Sequence, residues 1–271
     1  MPEHNFERFN SAKAPVFEGL EFVEIATASP QELDRLLCSM GFQATARHRS
    51  KSVTLYQQGD INLIINSTPD SFAAEYTTAH GTSICALGLR TPNATTAYQN
   101  LIGRGAWEAA TSAGAMELNI PAIESIGGTQ IYLIDRYAGD ISIYDIDFKT
   151  LSDQQDETTL LSHVGALSLT VELEREAPWR DFFRNLFGFK VTRDNLIQID
   201  GRTNLLLETA DRPGSADERI DSITFVANDL SALKRHLEEQ SVSLREVDDQ
   251  SGKYEVVLPL SDQFIRIFIA R

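Results

Sequence analysis

Apolar residues return every three or four positions at four places along the chain, and each place predicts one amphipathic helix of about three turns. Leu33, Leu36, Leu37 and Met40 make the first stripe, after Ser29-Pro30, an N-cap followed by a proline in the first turn. Ala97, Tyr98, Leu101 and Ile102 make the second. Trp179, Phe182, Phe183, Leu186 and Phe187 make the third, and Leu230, Leu233 and Leu237, after Asn228-Asp229, the fourth.

Runs rich in Val, Ile, Leu and Tyr fill the intervals and predict strands. One leads into each helix: Glu21–Ala26, Ile84–Leu89, Leu167–Val171 and Ile223–Val226. Three follow each helix. They are Phe42–Arg47, Val53–Gln57 and Ile61–Asn66; then Glu117–Ile120, Gln130–Ile134 and Ile141–Phe148; then Phe189–Thr192, Leu196–Ile199 and Asn204–Glu208; then Leu244–Val247, Tyr254–Leu258 and Phe264–Ile269. Two helices leave through the same step, Met40-Gly41-Phe42 and Phe187-Gly188-Phe189, where glycine permits the left-handed exit and phenylalanine returns to the core. The order β-α-β-β-β thus occurs four times. A unit of this length cannot bury its own sheet, so units must pair. The predicted fold is α+β, four βαβββ modules in two curved-sheet domains at 1–150 and 160–271, with a polar linker at 151–159.

Composition narrows the class. Hydrophobic residues at 42% and charged residues at 23% describe a globular chain rather than a disordered one. No run approaches the roughly 20 apolar residues of a membrane span, and the first nine residues do not read as a secretory signal. A net charge of −15 with no basic face argues against nucleic acid and against an anionic membrane surface as partners. Cys38 and Cys85 read as buried thiols, which fits a reducing cytoplasm.

Candidate chemistry is sparse. There is no Gly-x-Ser-x-Gly elbow, phosphate loop or dinucleotide fingerprint, and no two histidines stand at ligand spacing, so spacing predicts no metal site. His163 reads as a strand-mouth residue, His236 as an edge of the core and His80 as a loop tie. Period-two alternation turns Phe22 and Glu24 inward, together with either Tyr144 or Asp145. Glu24 and Asp145 are therefore candidates for two carboxylates facing one cavity, or for structural groups. Arg47, His48, Arg49 and Lys51 form a positive cluster that either receives the carboxylate of a small organic acid or makes salt bridges across strand ends.

The repeated βαβββ unit resembles the vicinal-oxygen-chelate superfamily of glyoxalases, bleomycin-resistance proteins and extradiol dioxygenases. The first half is more specific. Gly19–Ala26, His48–Asn66, Ala79–Cys85, Met116–Ile123, Ile131–Arg136 and Ser142–Phe148 resemble bacterial 4-hydroxyphenylpyruvate dioxygenase, over nearly all of residues 15–150. Part of this is shared with the dioxygenase-like domain of some 3-dehydroshikimate dehydratases. The resemblance implies a structural first domain and a second that holds Fe(II) through two histidines and a glutamate, a donor set suited to ferrous iron. Anchored on the Trp179 to Phe189 helix, the match puts Ala166 and Ser222 at the histidine positions. Ile267 falls at the glutamate position, or Arg266 after a slip of one.

None of these is a ligand, so no metal and no cofactor are expected, and Ala166, Ser168, Ser222 and Ile267 become candidates for lining a pocket. The second half is also shorter than the family's. The reading that follows is an iron-free relative that binds a small 2-oxo or aromatic acid. One alternative is an active dioxygenase with ligands elsewhere; another is a structural or oligomerising subunit. A homodimer is expected on two grounds: the resemblance implies an N-terminal domain that contributes to subunit contacts, and the last strand reads as an uncovered edge.

Overall fold

The computed structural model describes residues 14–110, 117–137, 141–151, 159–192, 195–210, 217–247, 252–257 and 265–271. The first module is β1 (Gly19–Ala26), α1 (Pro30–Ser39), β2 (Gln43–His48), β3 (Val53–Gln58) and β4 (Ile61–Asn66). An extra helix, α2 (Phe72–His80), leads to the second module: β5 (Ser83–Arg90), α3 (Ala94–Gly103), β6 (Ala122–Glu124), β7 (Gln130–Ile134), α4 (Ile143–Asp147) and β8 (Phe148–Thr150). The third is β9 (Leu161–Val171), α5 (Glu176–Phe182) with a wider turn over Phe183–Phe187, β10 (Lys190–Val191), β11 (Leu196–Gln198) and β12 (Asn204–Thr209). The fourth is β13 (Arg219–Ala227), α6 (Leu230–Glu239), β14 (Leu244–Glu246), β15 (Tyr254–Val256) and β16 (Arg266–Ala270).

In every module the first strand pairs in parallel with a later one: β1 with β4, β5 with β7, β9 with β12 and β13 with β16. The first strands of paired modules then meet antiparallel, β1 on β5 and β9 on β13. Among the described residues eight strands over 19–150 and eight over 161–270 result, joined where Ile84 of β5 pairs with Ile220 of β13. The predicted linker falls mostly outside the described residues.

Local chemistry explains the helices. Pro30 opens α1 and Leu33, Leu36 and Leu37 are its buried stripe. Asn93 caps α3 through the Thr96 amide, and Asp229 caps α6 through those of Ser231 and Ala232. Gly41 and Gly188 adopt φ of 89° and 74°, the left-handed exits the two Gly-Phe steps predict. One apolar cluster draws from both halves, with Phe42 and Phe225 rings 5.5 Å apart, so the halves share a core.

The second module breaks the repeat. Residues 117–120, a predicted strand, run as a loop, and the strand predicted at Ile141–Phe148 is mostly the helix α4. Its cause is a capping box: Ser142 Oγ accepts the Asp145 amide while the Asp145 carboxylate accepts the Ser142 amide at 2.8 Å. The chain then crosses to the first module, where β8 pairs with β2. Two further expectations change. Cys38 is exposed on α1 while Cys85 is buried. And β16 is no edge, since it lies between β13 and β15, which removes the edge-strand ground for a dimer. No helix among the described residues is long and apolar enough to cross a membrane.

Candidate functional site

The curved sheet of the first half bends around an open hollow of about 160 Å³. Phe22 and Glu24 of β1, Ile64 and Asn66 of β4, Val53 of β3 and Tyr132 of β7 line it, and each follows from alternation along its strand. The loop at 117–120 and α4, the two departures from the repeat, supply more of the lining through Glu117, Leu118, Ile143 and Asp147. Asp147 ties them together: both of its carboxylate oxygens accept the Leu118 amide at 3.2 Å.

Glu24 is 8% exposed, and burial pushes its carboxyl above the usual range, opposed by the Asn66 amide, the Cys85 thiol and the Lys51 charge. Asn66 Nδ2 donates to Glu24 Oε1 at 2.8 Å, while Asn66 Oδ1 accepts the Thr68 amide, which fixes the orientation of the Asn66 side chain. His48 Nδ1 accepts the Ser50 and Lys51 amides at 3.3 and 3.2 Å, leaving Nε2 to carry the ring proton; burial pulls its pKa down. Its ring meets Phe148 edge-on at 5.2 Å. Lys51 Nζ pairs with Glu117 at 2.7 Å, and Ser50 donates to the same carboxylate.

The predicted carboxylate pair does not form, because Asp145 is exposed at the start of α4, where its bonds to Ser142 hold its carboxyl below the usual range. Asp147, two residues on, lines the hollow instead. The positive cluster also divides. Arg47 is exposed in β2, Arg49 Nε donates to the Ile146 carbonyl at 3.2 Å, and only His48 and Lys51 reach the hollow.

In the second half the sheet has one face in the apolar core and one away from it. Leu167, Ile223 and Ile267 belong to the core cluster. Alternation therefore sets Ala166, Ser168, Ser222 and Arg266 on the opposite face. Ser222 stands between Ser168 and Arg266 in register, and Ala166 lies beside Thr224 and Asn204. Ile267 is 1% exposed and cannot line a pocket on this face. Arg266 Nε donates to Asp221 at 2.9 Å and its guanidinium lies 3.6 Å from Glu208, which accepts from Ser168 Oγ.

A second cavity, about 350 Å³, lies at the seam between halves and includes Glu21, Arg90, His163 and Arg202. Its strongest charges are already matched, Glu21 with Arg90 at 2.5 Å and Asp60 with Arg202 at 2.6 Å.

Paired βαβββ modules, two to each half, with the sheet of the first half curved around a hollow, define a protein of the vicinal-oxygen-chelate class. Residues 13–149 match the family described as hydroxyphenylpyruvate dioxygenase, HPPD, N-terminal. The 4-hydroxyphenylpyruvate dioxygenase of Pseudomonas sp. (strain P.J. 874) is 34% identical over 252 residues, 84% of this chain and 70% of that enzyme. The chain belongs to the 4-hydroxyphenylpyruvate dioxygenase family. The enzyme of the same name from Pseudomonas aeruginosa is 34% identical over 86% of this chain and 65% of its own length. A 3-dehydroshikimate dehydratase from the same species is 32% identical over 84% of this chain but only 37% of its own. Among solved structures, a xylose isomerase-like TIM barrel/4-hydroxyphenylpyruvate dioxygenase fusion protein superposes with a TM-score of 0.76 at 22% identity, over 95% of this chain and 50% of that one. A mutant of 4-hydroxymandelate synthase from Streptomyces coelicolor superposes with 0.74 at 14% identity, over 94% and 93%.

The iron that the family resemblance implies does not fit the residues at the matched positions. Ala166 offers no donor, Ser222 only a hydroxyl, and Arg266 a permanent cation. Among the described residues no group of three His, Cys, Asp or Glu side chains could hold a metal ion.

Proposed function

We propose that this chain is a member of the 4-hydroxyphenylpyruvate dioxygenase family that binds a small organic molecule without iron-dependent oxygenation. One observation carries the reading: Ala166, Ser222 and Arg266 share the face of the second half on which the metal ligands would have to converge. A guanidinium there repels a divalent cation where a carboxylate would attract it. It is also fixed in place by Asp221 and Glu208. A metal site needs deprotonated or neutral donors to retain its ion, and affinity comes from those donors. The 3-dehydroshikimate dehydratase among the relatives supports a family in which this fold accompanies more than one chemistry.

The test is oxygen uptake by the full chain with 4-hydroxyphenylpyruvate, ascorbate and Fe(II). The expected result is uptake no greater than in the same mixture without protein. Substrate-dependent uptake above that control overturns the reading.

A further inference from the structure

We infer that the hollow of the first half is a binding site for a small organic ammonium ion with an apolar body about one ring in size, its cationic head on Glu24. The inference stands apart from the proposal above, which concerns the opposite half of the chain.

Size sets the first limit. A cavity of about 150 Å³ lined by apolar side chains accepts benzene, and this one measures about 160 Å³. The walls set the second. Phe22 and Tyr132 rings lie 6.0 Å apart on one side and Phe148 stands on another, with Val53 and Ile64 between. Aromatic faces attract organic cations, most strongly where water is excluded.

Charge decides the class of ligand. Three carboxylates line the hollow, Glu24, Glu117 and Asp147, against a single ammonium, Lys51, which already pairs with Glu117. His48 adds no charge at neutral pH, because burial favours its neutral form. A carboxylate ligand would therefore enter a negative site, whereas an ammonium would be drawn into it. Asp147 is occupied in holding the Leu118 amide. Glu24 differs: more than nine-tenths buried, it accepts from Asn66 Nδ2 with the Cys85 thiol beside it, and a carboxylate, which accommodates about four hydrogen bonds, still has room for a further donor. A ligand ammonium supplies further donors and a positive charge together.

The cover over this hollow is the part of the chain that abandons the repeat. Where the first, third and fourth modules continue as strands, the second forms the loop at 117–120 and α4, and both line the cavity. A segment that gives up sheet pairing to line a polar hollow suits a site more than a scaffold.

Three probes of one size separate the possibilities: benzylamine, benzyl alcohol and benzoate, titrated calorimetrically into the full chain at pH 7.5. Benzylamine is expected to bind saturably, benzyl alcohol about tenfold or more weakly, and benzoate not at all. Glu24→Gln keeps the Asn66 bond and is expected to weaken benzylamine about tenfold or more, the scale of one lost charged hydrogen bond. Lys51→Met removes the one ammonium lining the hollow and is expected to tighten benzylamine, and Arg266→Ala, in the other half, to leave it unchanged. Saturable benzoate binding equal to or tighter than benzylamine overturns the inference. So does failure of all three probes to bind, an unchanged affinity in Glu24→Gln, or a loss that follows Arg266→Ala instead.

Discussion

Glu24 shows how much one strand position can carry. Alternation from Phe22 turns it into the hollow, and this much is legible without a structure, because period two along a strand admits no other choice. Its consequence for stability follows from its surroundings. Burial raises the carboxyl in the folded chain, so the folded state binds the proton more tightly than the unfolded one. Stability from this group is greatest below the unfolded value near 4.5 and falls as pH rises through the folded value. Glu24→Gln is therefore expected to stabilise the protein at pH 7 by roughly 1 to 3 kcal/mol, the cost of an under-partnered buried group, with the gain vanishing toward pH 4. Urea denaturation at both pH values checks this; a variant less stable than the parent at pH 7 sinks it. Other residues are misplaced by counting alone. A gapless match selects Ile267 as a ligand position, yet Ile265, Ile267 and Ile269 alternate as one apolar row, and all three are buried. The same alternation assigns Arg266 to the opposite face, where its charge is met by Asp221.

At the scale of elements, the four amphipathic helices and the strands that enter them are readable because each has one apolar stripe or one apolar row. Two helices are not. The segment of α2, Phe72-Ala-Ala-Glu-Tyr-Thr-Thr-Ala-His80, has no apolar stripe, and only Ala73 and Tyr76 are buried. That of α4 is rich in the residues of a strand, with Ile141, Ile143, Tyr144, Ile146 and Phe148, and its helical signal is confined to Ser142-x-x-Asp145. Tyr132 and Glu117 enter the hollow on β7 and on the loop before β6, while Asp147 does so on α4. A strand over Ile141–Phe148 would hide the role of Asp147. Ser142→Ala removes the side-chain half of the cap and is expected to cost about 1 kcal/mol at pH 7. The Asp145 carboxyl is held low by Ser142, so the contribution of the pair is present above the unfolded aspartate value and lost as pH falls through the folded one. Thermal unfolding of parent and variant should therefore differ most at pH 7 and less in acid, where only the bond from the Asp145 amide to Ser142 Oγ remains to be lost. A difference that is equal at both pH values counts against the capping account.

Across the whole molecule, the module repeat foretells two groups of eight strands but says nothing of how tightly they join. The seam is closed by groups that reach across it from turns. Gln58, 5% exposed in the β3–β4 hairpin, donates to the Met40 carbonyl at 3.0 Å and accepts the Leu160 and Leu161 amides at 2.9 and 2.8 Å. Beside it, Gly59 has φ of +57°, and a Cβ at that position would lie only 2.9 Å from the Leu161 carbonyl oxygen, so no side chain fits. Gly127 approaches the Glu218 backbone more closely still. With a common apolar cluster behind these contacts, neither half retains its buried surface if the other unfolds. The chain is accordingly expected to melt in one calorimetric transition, with calorimetric and van't Hoff enthalpies in agreement. Gln58→Leu leaves two amides and a carbonyl without their partner in a buried place, a loss of about 3 kcal/mol, and should lower that single transition as a whole. If the halves were separate folding units, two transitions would appear and the substitution would shift at most one of them; that result would refute a shared core as the basis of stability.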